Sequence, residues 1–127
     1  MTATEPARAA QPTVIDPSLL GEGCPTRRLL RLVGDKWTPI VLYCLSAGEC
    51  RFGELHRLIP DISKKVLTQV LRKLEADGLV LRTINAGNVP TTTYRLTEAG
   101  HRLHEPVAML CRWAEQNADV LAGYEPR

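Results

Sequence analysis

At 127 residues and a formal charge of +2, the chain is sized for one domain, or one domain and a tail, and can bury roughly two-thirds of its unfolded surface. No apolar run is long enough to span a bilayer, and the opening TATEPARAAQPTVIDPS lacks the continuous apolar stretch of a secretory signal, so a cytoplasmic chain with no membrane contact is expected. That charge is too small to imply nucleic acid by itself, and in a reducing compartment Cys24, Cys44, Cys50 and Cys111 read as thiols, not as a disulfide framework.

Residues 1–22, rich in Ala, Pro and Thr with little periodicity, read as a disordered arm, leaving 23–123 as the folded domain. TRRLLRLVG (26–34) places Leu29, Leu30, Leu32 and Val33 in a short amphipathic helix with Gly34 at its end. DKWTPIVLYCLSAG (35–48) follows, with Asp35 or Thr38 as N-cap and Pro39 tolerable only in the first turn. Trp37, Ile40, Val41, Cys44 and Leu45 recur there at helical spacing and are expected to face a core. RFGELHRLIP (51–60) reads as a shorter helix with Phe52, Leu55, Leu58 and Ile59 on one face.

DISKKVLTQVLRKLEADG (61–78) is the clearest helix. Ser63 is the N-cap candidate, Leu67, Val70, Leu71 and Leu74 form the apolar stripe, and Gly78 sits at C′. LVLRTI (79–84) and TTTYRL (91–96) are β-rich around the turn residues NAGNVP, which predicts a hairpin. TEAGHRLHEPVAMLCRWAEQNADVLAG (97–123) reads as helical, with Pro106 forcing a kink or a new start. Leu103, Val107, Leu110, Ala114, Asn117 and Leu121 follow an a/d-like rhythm along it. The fold class is mainly α with a small β-hairpin wing (α+β).

Two helices joined through LIPDIS and followed by a hairpin make a winged helix-turn-helix. At 100° per residue the stripe centres on Leu67, Leu71 and Leu74. The opposite face carries Lys65, Gln69, Arg72 and Ala76, flanked by Thr68 and Lys73. Arg suits guanine, Gln suits adenine and Lys suits phosphate, while Ala permits close approach. The helix start at Ser63 and Lys64 offers free N–H groups to a phosphate. Arg82 and Arg95, on the hairpin strands, are further candidates for phosphate. The tip NAGNVPTTT has no cation, so a weak wing contribution is expected. The bland reading of the helix face is a merely solvated one.

CPTRRLLRLVGDKWTPIVL, RFGELHRLIPDISKKVLTQVLRKLEADGLVLRT and YRLTEAGHRL together resemble the HxlR-type branch of the MarR-like winged-helix regulators, over about residues 24–115. The resemblance implies a homodimeric, DNA-binding transcription regulator whose first and last helices form the dimer interface and whose residues 63–77 enter the major groove. Leu29, Leu30, Val107, Leu110, Ala114 and Leu121 are the interface candidates, since the helices at 26–33 and 103–121 carry more apolar surface than one small winged domain can cover. Symmetric pairing would set two recognition helices roughly 34 Å apart and predicts an inverted-repeat operator in double-stranded DNA.

Cys24 falls at the start of the first helix, before Pro25 and close to Arg27 and Arg28, where helix-end and guanidinium charge favour an oxidisable thiol. Several members of the family look like thiol sensors at this place, which makes a small electrophile a candidate effector. Cys111, one turn after Val107, could approach the partner's Cys24. Cys44 is expected in the core and Cys50 exposed in a turn. His56, His101 and His104 complete no metal site, no cofactor is implied, and the sequence holds no catalytic constellation. The competing readings are a regulator answering a non-covalent ligand, a winged helix serving as a protein-interaction module, and a small thiol oxidoreductase, against which the absence of a Cys-x-x-Cys motif counts.

Overall fold

The computed structural model describes residues 14–124. The chain divides into two units, Met1–Arg31 and Leu32–Arg127. Of the arm expected over residues 1–22, residues 1–13 lie outside the described residues. Pro17–Leu20 form a 3-10 turn, capped where Asp16 accepts the backbone N–H of Ser18.

The helices are α1 (Pro25–Val33), α2 (Thr38–Ser46), α3 (Phe52–Leu58), α4 (Lys64–Ala76), α5 (Glu98–Gln116) and α6 (Ala118–Leu121), and the strands are β1 (Cys50–Arg51), β2 (Val80–Asn85) and β3 (Thr91–Leu96). The molecule is mainly helical with one small antiparallel sheet of order β1-β3-β2. That is the expected winged architecture plus one strand. Arg51, expected in the helix at 51–60, belongs to β1 instead, because two residues are too few to show a period of two.

The core of the second unit collects Val41, Leu42 and Leu45 from α2, Leu55 from α3, the α4 stripe, Val80 and Leu96 from the sheet, and Val107 from α5. All four expected stripe residues of α4 are buried. On α2 the expected face is rotated: Leu42 is buried, whereas Ile40 is 41% exposed. Cys44 and Trp37 are only partly buried against the core. On α3, Leu58 points to solvent while Leu55 and Ile59 are inside.

Local chemistry sets the ends of these elements. Trp37, not Asp35 or Thr38, is the N-cap of α2. Asp35 still organises that turn, because its carboxylate accepts the N–H of Trp37 and the hydroxyl of Thr38 at 3.2 and 3.1 Å. Pro39 sits in the first turn, where its missing N–H costs nothing. The carboxylate of Glu54 accepts the N–H of Arg51 at 2.7 Å and starts α3. Asp61 adopts φ 69° in the link to α4, a left-handed geometry that a short polar side chain tolerates.

Ser63 caps α4 by accepting the N–H of Val66 at 3.0 Å. Gly78, at φ +77°, turns the chain out of the helix. Thr97 then binds two elements together, donating its hydroxyl to the carbonyl of Gly78 and accepting the N–H of Gly100 at the start of α5. Helix α5 runs unbroken through Pro106, so the proline does not begin a new helix. The helix expected to 123 stops instead at Gln116, where Asn117 adopts φ −124° and its N–H and side-chain amide both bond the carbonyl of Trp113.

Candidate nucleic-acid interface

Because its stripe is committed to the core, α4 must present its other side outward. Lys64, Lys65, Gln69, Arg72, Lys73 and Ala76 are all exposed. The helix start carries no acidic side chain. Ser63 satisfies the N–H of Val66, which leaves the first amides of the helix, those of Lys64 and Lys65, without an intrahelical acceptor. Thr68 lies at the edge of this face. It is half-buried, and its hydroxyl donates to the carbonyl of Lys64 at 2.8 Å, so its proton is already committed within the helix.

The hairpin separates its two arginines. Strand register pairs Arg82 with Tyr94 and Leu81 with Arg95. Successive side chains alternate faces, so Arg82 and Arg95 lie on opposite faces of the wing. Arg82 turns toward α4, where its Nε lies 3.5 Å from Oε1 of Glu75. Thr68, Arg72, Glu75, Arg82 and Tyr94 line a polar notch of about 160 Å³ between α4 and the hairpin. Burial pushes the Tyr94 phenol above its ordinary value, the Glu75 carboxylate adds to the rise, and Arg82 and Arg72 oppose it. Neither Tyr94 nor Glu75 is among the residues that the sequence singles out, yet both line this notch. The signal was available: the strand opposite Arg82 is readable once the hairpin register is set.

A second surface lies on α5, where Met109, Leu110 and Trp113 are exposed. Val33, Pro39, Val107, Leu110, Cys111 and Ala114 line an apolar depression of about 190 Å³ beside it. Val107, expected to meet a partner chain, is instead 4% exposed and part of the chain's own core. Leu29, Leu30 and Leu121 are exposed and Ala114 is half-buried.

The four cysteines are free thiols. Cys24 caps α1 in the expected position, its Sγ accepting the N–H of Arg27 at 3.3 Å and its carbonyl accepting that of Arg28 at 3.1 Å. The Arg27 guanidinium reaches the carbonyl of Leu20 at 3.5 Å. Cys111 is exposed. Cys50, expected exposed, is half-buried, because β1 draws it into the sheet against the core. Burial raises the Cys44 thiol, with Cys50 adding to the rise, and burial followed by Glu54 raises Cys50. His101 is exposed, and His104 stacks on Tyr43 with ring centroids 6.2 Å apart.

A capped amphipathic helix after a tight turn, backed by a core and followed by a two-stranded wing, defines a winged helix-turn-helix of the kind that transcription regulators use. Residues 32–121 match the HxlR-like helix-turn-helix family, and the chain belongs to it. The chain is 42% identical over 103 residues to the HTH-type transcriptional regulator YybR of Bacillus subtilis, spanning 81% of this chain and 82% of that one. Among solved structures it resembles the redox regulator HypR in its reduced form, at 40% identity and TM-score 0.74 over 79% of this chain and 99% of that one. It also resembles the reduced transcriptional regulator YodB of B. subtilis, at 32% identity and TM-score 0.67 over 74% and 93% of the two chains. Family and relatives are transcriptional regulators, not enzymes.

Proposed function

We propose that this regulator acts in the cytoplasm as a homodimer, binding an inverted-repeat operator in double-stranded DNA with one α4 per half-site. The observation that carries the reading is the outward face of α4. Its cations and Gln69 are exposed, no core packing requires them, and the helix start adds unshared N–H groups. Lys64, Lys65 and Lys73 are the phosphate-contacting candidates on this helix and Gln69 the base-reading one, with Arg95 and the hydroxyl of Ser63 as outlying contacts. The pairing surface is assigned to Leu29 and Leu30 of α1 with Leu110, Ala114 and Leu121 at the C-terminal end.

An effector response through thiols is part of the proposal. The Cys24 Sγ sits at a helix N-terminus, accepting the backbone N–H of Arg27 at 3.3 Å. Cys111 is exposed on the proposed pairing face, and the chain also resembles the redox regulator HypR in its oxidised form and diamide-treated YodB of B. subtilis. A mild oxidant or electrophile would then change operator affinity through Cys24, with the partner's Cys111 as its counterpart.

The test is a gel shift on the DNA flanking the chain's own gene, reduced and diamide-treated, at stated salt. Binding that weakens uniformly in Lys64→Ala, and an oxidant response abolished in Cys24→Ser, support the two parts separately. No retardation of any duplex at about 50 mM salt, where non-specific binding should already be strong, returns the chain to the protein-interaction reading. An oxidant response that persists in the serine variant removes Cys24 as sensor.

A further inference from the structure

The notch between α4 and the wing gathers more polar groups than its single ion pair uses. Two guanidinium groups and one phenol line a single recess with Glu75 and Thr68. Glu75 neutralises one cation, at 3.5 Å from Arg82, and the balance of the recess is one positive charge. The Glu75–Arg82 pair is about two-fifths exposed on both sides, so water screens it and it holds the hairpin only weakly. Arg72 faces the same recess without a salt-bridge partner among the described residues. A recess of this kind is suited to a singly charged anion with several oxygens, because guanidinium groups bind such oxygens in a fork.

Duplex geometry supplies that anion. The strand of backbone that divides the major groove from the neighbouring minor groove passes between a helix seated in the first and a wing laid over the second. In such a docking the notch, lined from both α4 and the hairpin strands, would fall at that crossing. We propose that it seats one backbone phosphate, gripped by Arg72, Arg82 and the Tyr94 hydroxyl, and that Glu75 is the partner this phosphate displaces from Arg82. The assignment rests on the DNA-binding reading above. It also moves Arg72 from guanine recognition to backbone positioning. That suits its place two turns beyond Lys65, since base edges are read mainly by the first turns of a recognition helix.

The experiment uses the full chain and two fluorescent duplexes in anisotropy titrations. One has mixed sequence, and the other is recovered by the wild-type chain from a randomised pool. Arg72→Ala and Arg82→Ala should each lose roughly eightfold at 0.1 M salt on both duplexes alike, with the slope of log K against log salt shallower by about 0.9. Tyr94→Phe should lose roughly tenfold with the slope unchanged, as removal of a neutral donor to a charged acceptor requires. Glu75→Gln should gain on both duplexes. Arg82→Lys should keep the wild-type slope, which separates lost charge from lost folding.

An Arg72→Ala loss confined to the selected duplex would assign Arg72 to a base and overturn the notch. Unchanged binding by Arg82→Ala and Tyr94→Phe, while Lys65→Ala weakens, would overturn the notch and leave the DNA reading standing. Failure of the wild-type chain to bind either duplex would remove both.

Discussion

A methyl group at position 100 would collide with the carbonyl oxygen of Leu79. That oxygen already accepts the N–H of Thr97 at 3.0 Å, so it cannot move aside without breaking the junction between β3 and α5. Gly100→Ala gains about 1 kcal/mol of helix propensity and should nonetheless lose about 1–3 kcal/mol to overpacking. A lower urea midpoint is expected, and an unchanged or higher one would show that the junction yields. The half-buried thiols give a second prediction at this scale. Cys44 lies above its ordinary value of 9.0 because burial disfavours the thiolate. Its contribution to stability is therefore full below the unfolded value and is lost as pH rises through the folded one. Between about pH 8 and pH 10, spanning the ordinary thiol range, the urea midpoint of the wild-type chain should fall further than that of Cys44→Val. Parallel falls in the two proteins would contradict it.

Among the elements, α4 was legible because one short segment held every requirement. Its cap, four apolar residues at helical spacing and terminal glycine all agree with the structure. What the sequence hid were properties shared between segments. Opposite facing of Arg82 and Arg95 follows from the pairing register, which neither strand contains alone, and so does the meeting of Tyr94 with Arg82 in the notch. Strand β1 exists only because β3 offers it an edge. Leu42 is buried and Ile40 is not because α2 packs against both α5 and β3, a wider surface than a single-stripe reading allows. Gly100 reads as an ordinary helical residue until Leu79 is brought beside it. The division of labour on α4 predicts two separable variants. Leu74→Ala, at a fully buried side chain, should cost about 2–5 kcal/mol. Lys65→Ala, on the exposed face, should stay within about 0.5 kcal/mol of wild type while weakening duplex binding. Equal destabilisation of the two would mean that the outward face is not free for a ligand.

For the molecule as a whole, the unexplained surface is the outer side of α5. Leu110 is 64% exposed and Trp113 50% exposed, with Met109 beside them. Single exposed apolar residues are ordinary, but a run of large ones on one helix marks an interaction surface more often than a solvent face. With Val107 assigned to the chain's own core, the proposed pairing surface on α5 narrows to the residues beyond it. A charge placed there would have to be buried unpaired twice in a symmetric dimer, once per chain. Leu110→Glu should therefore sediment as a monomer at concentrations where the wild-type chain is a dimer. Its own fold should be intact, because the wild-type side chain is mostly in water and contributes little to the core. If two copies grip adjoining half-sites, separating them replaces one two-site binding event by two weaker ones, so operator affinity should fall by more than about a hundredfold. Binding to a single half-site should barely change. A Leu110→Glu chain that remains dimeric would place the pairing surface elsewhere. A monomer that binds the whole operator as well as wild type would remove the two-fold arrangement from the account of DNA recognition.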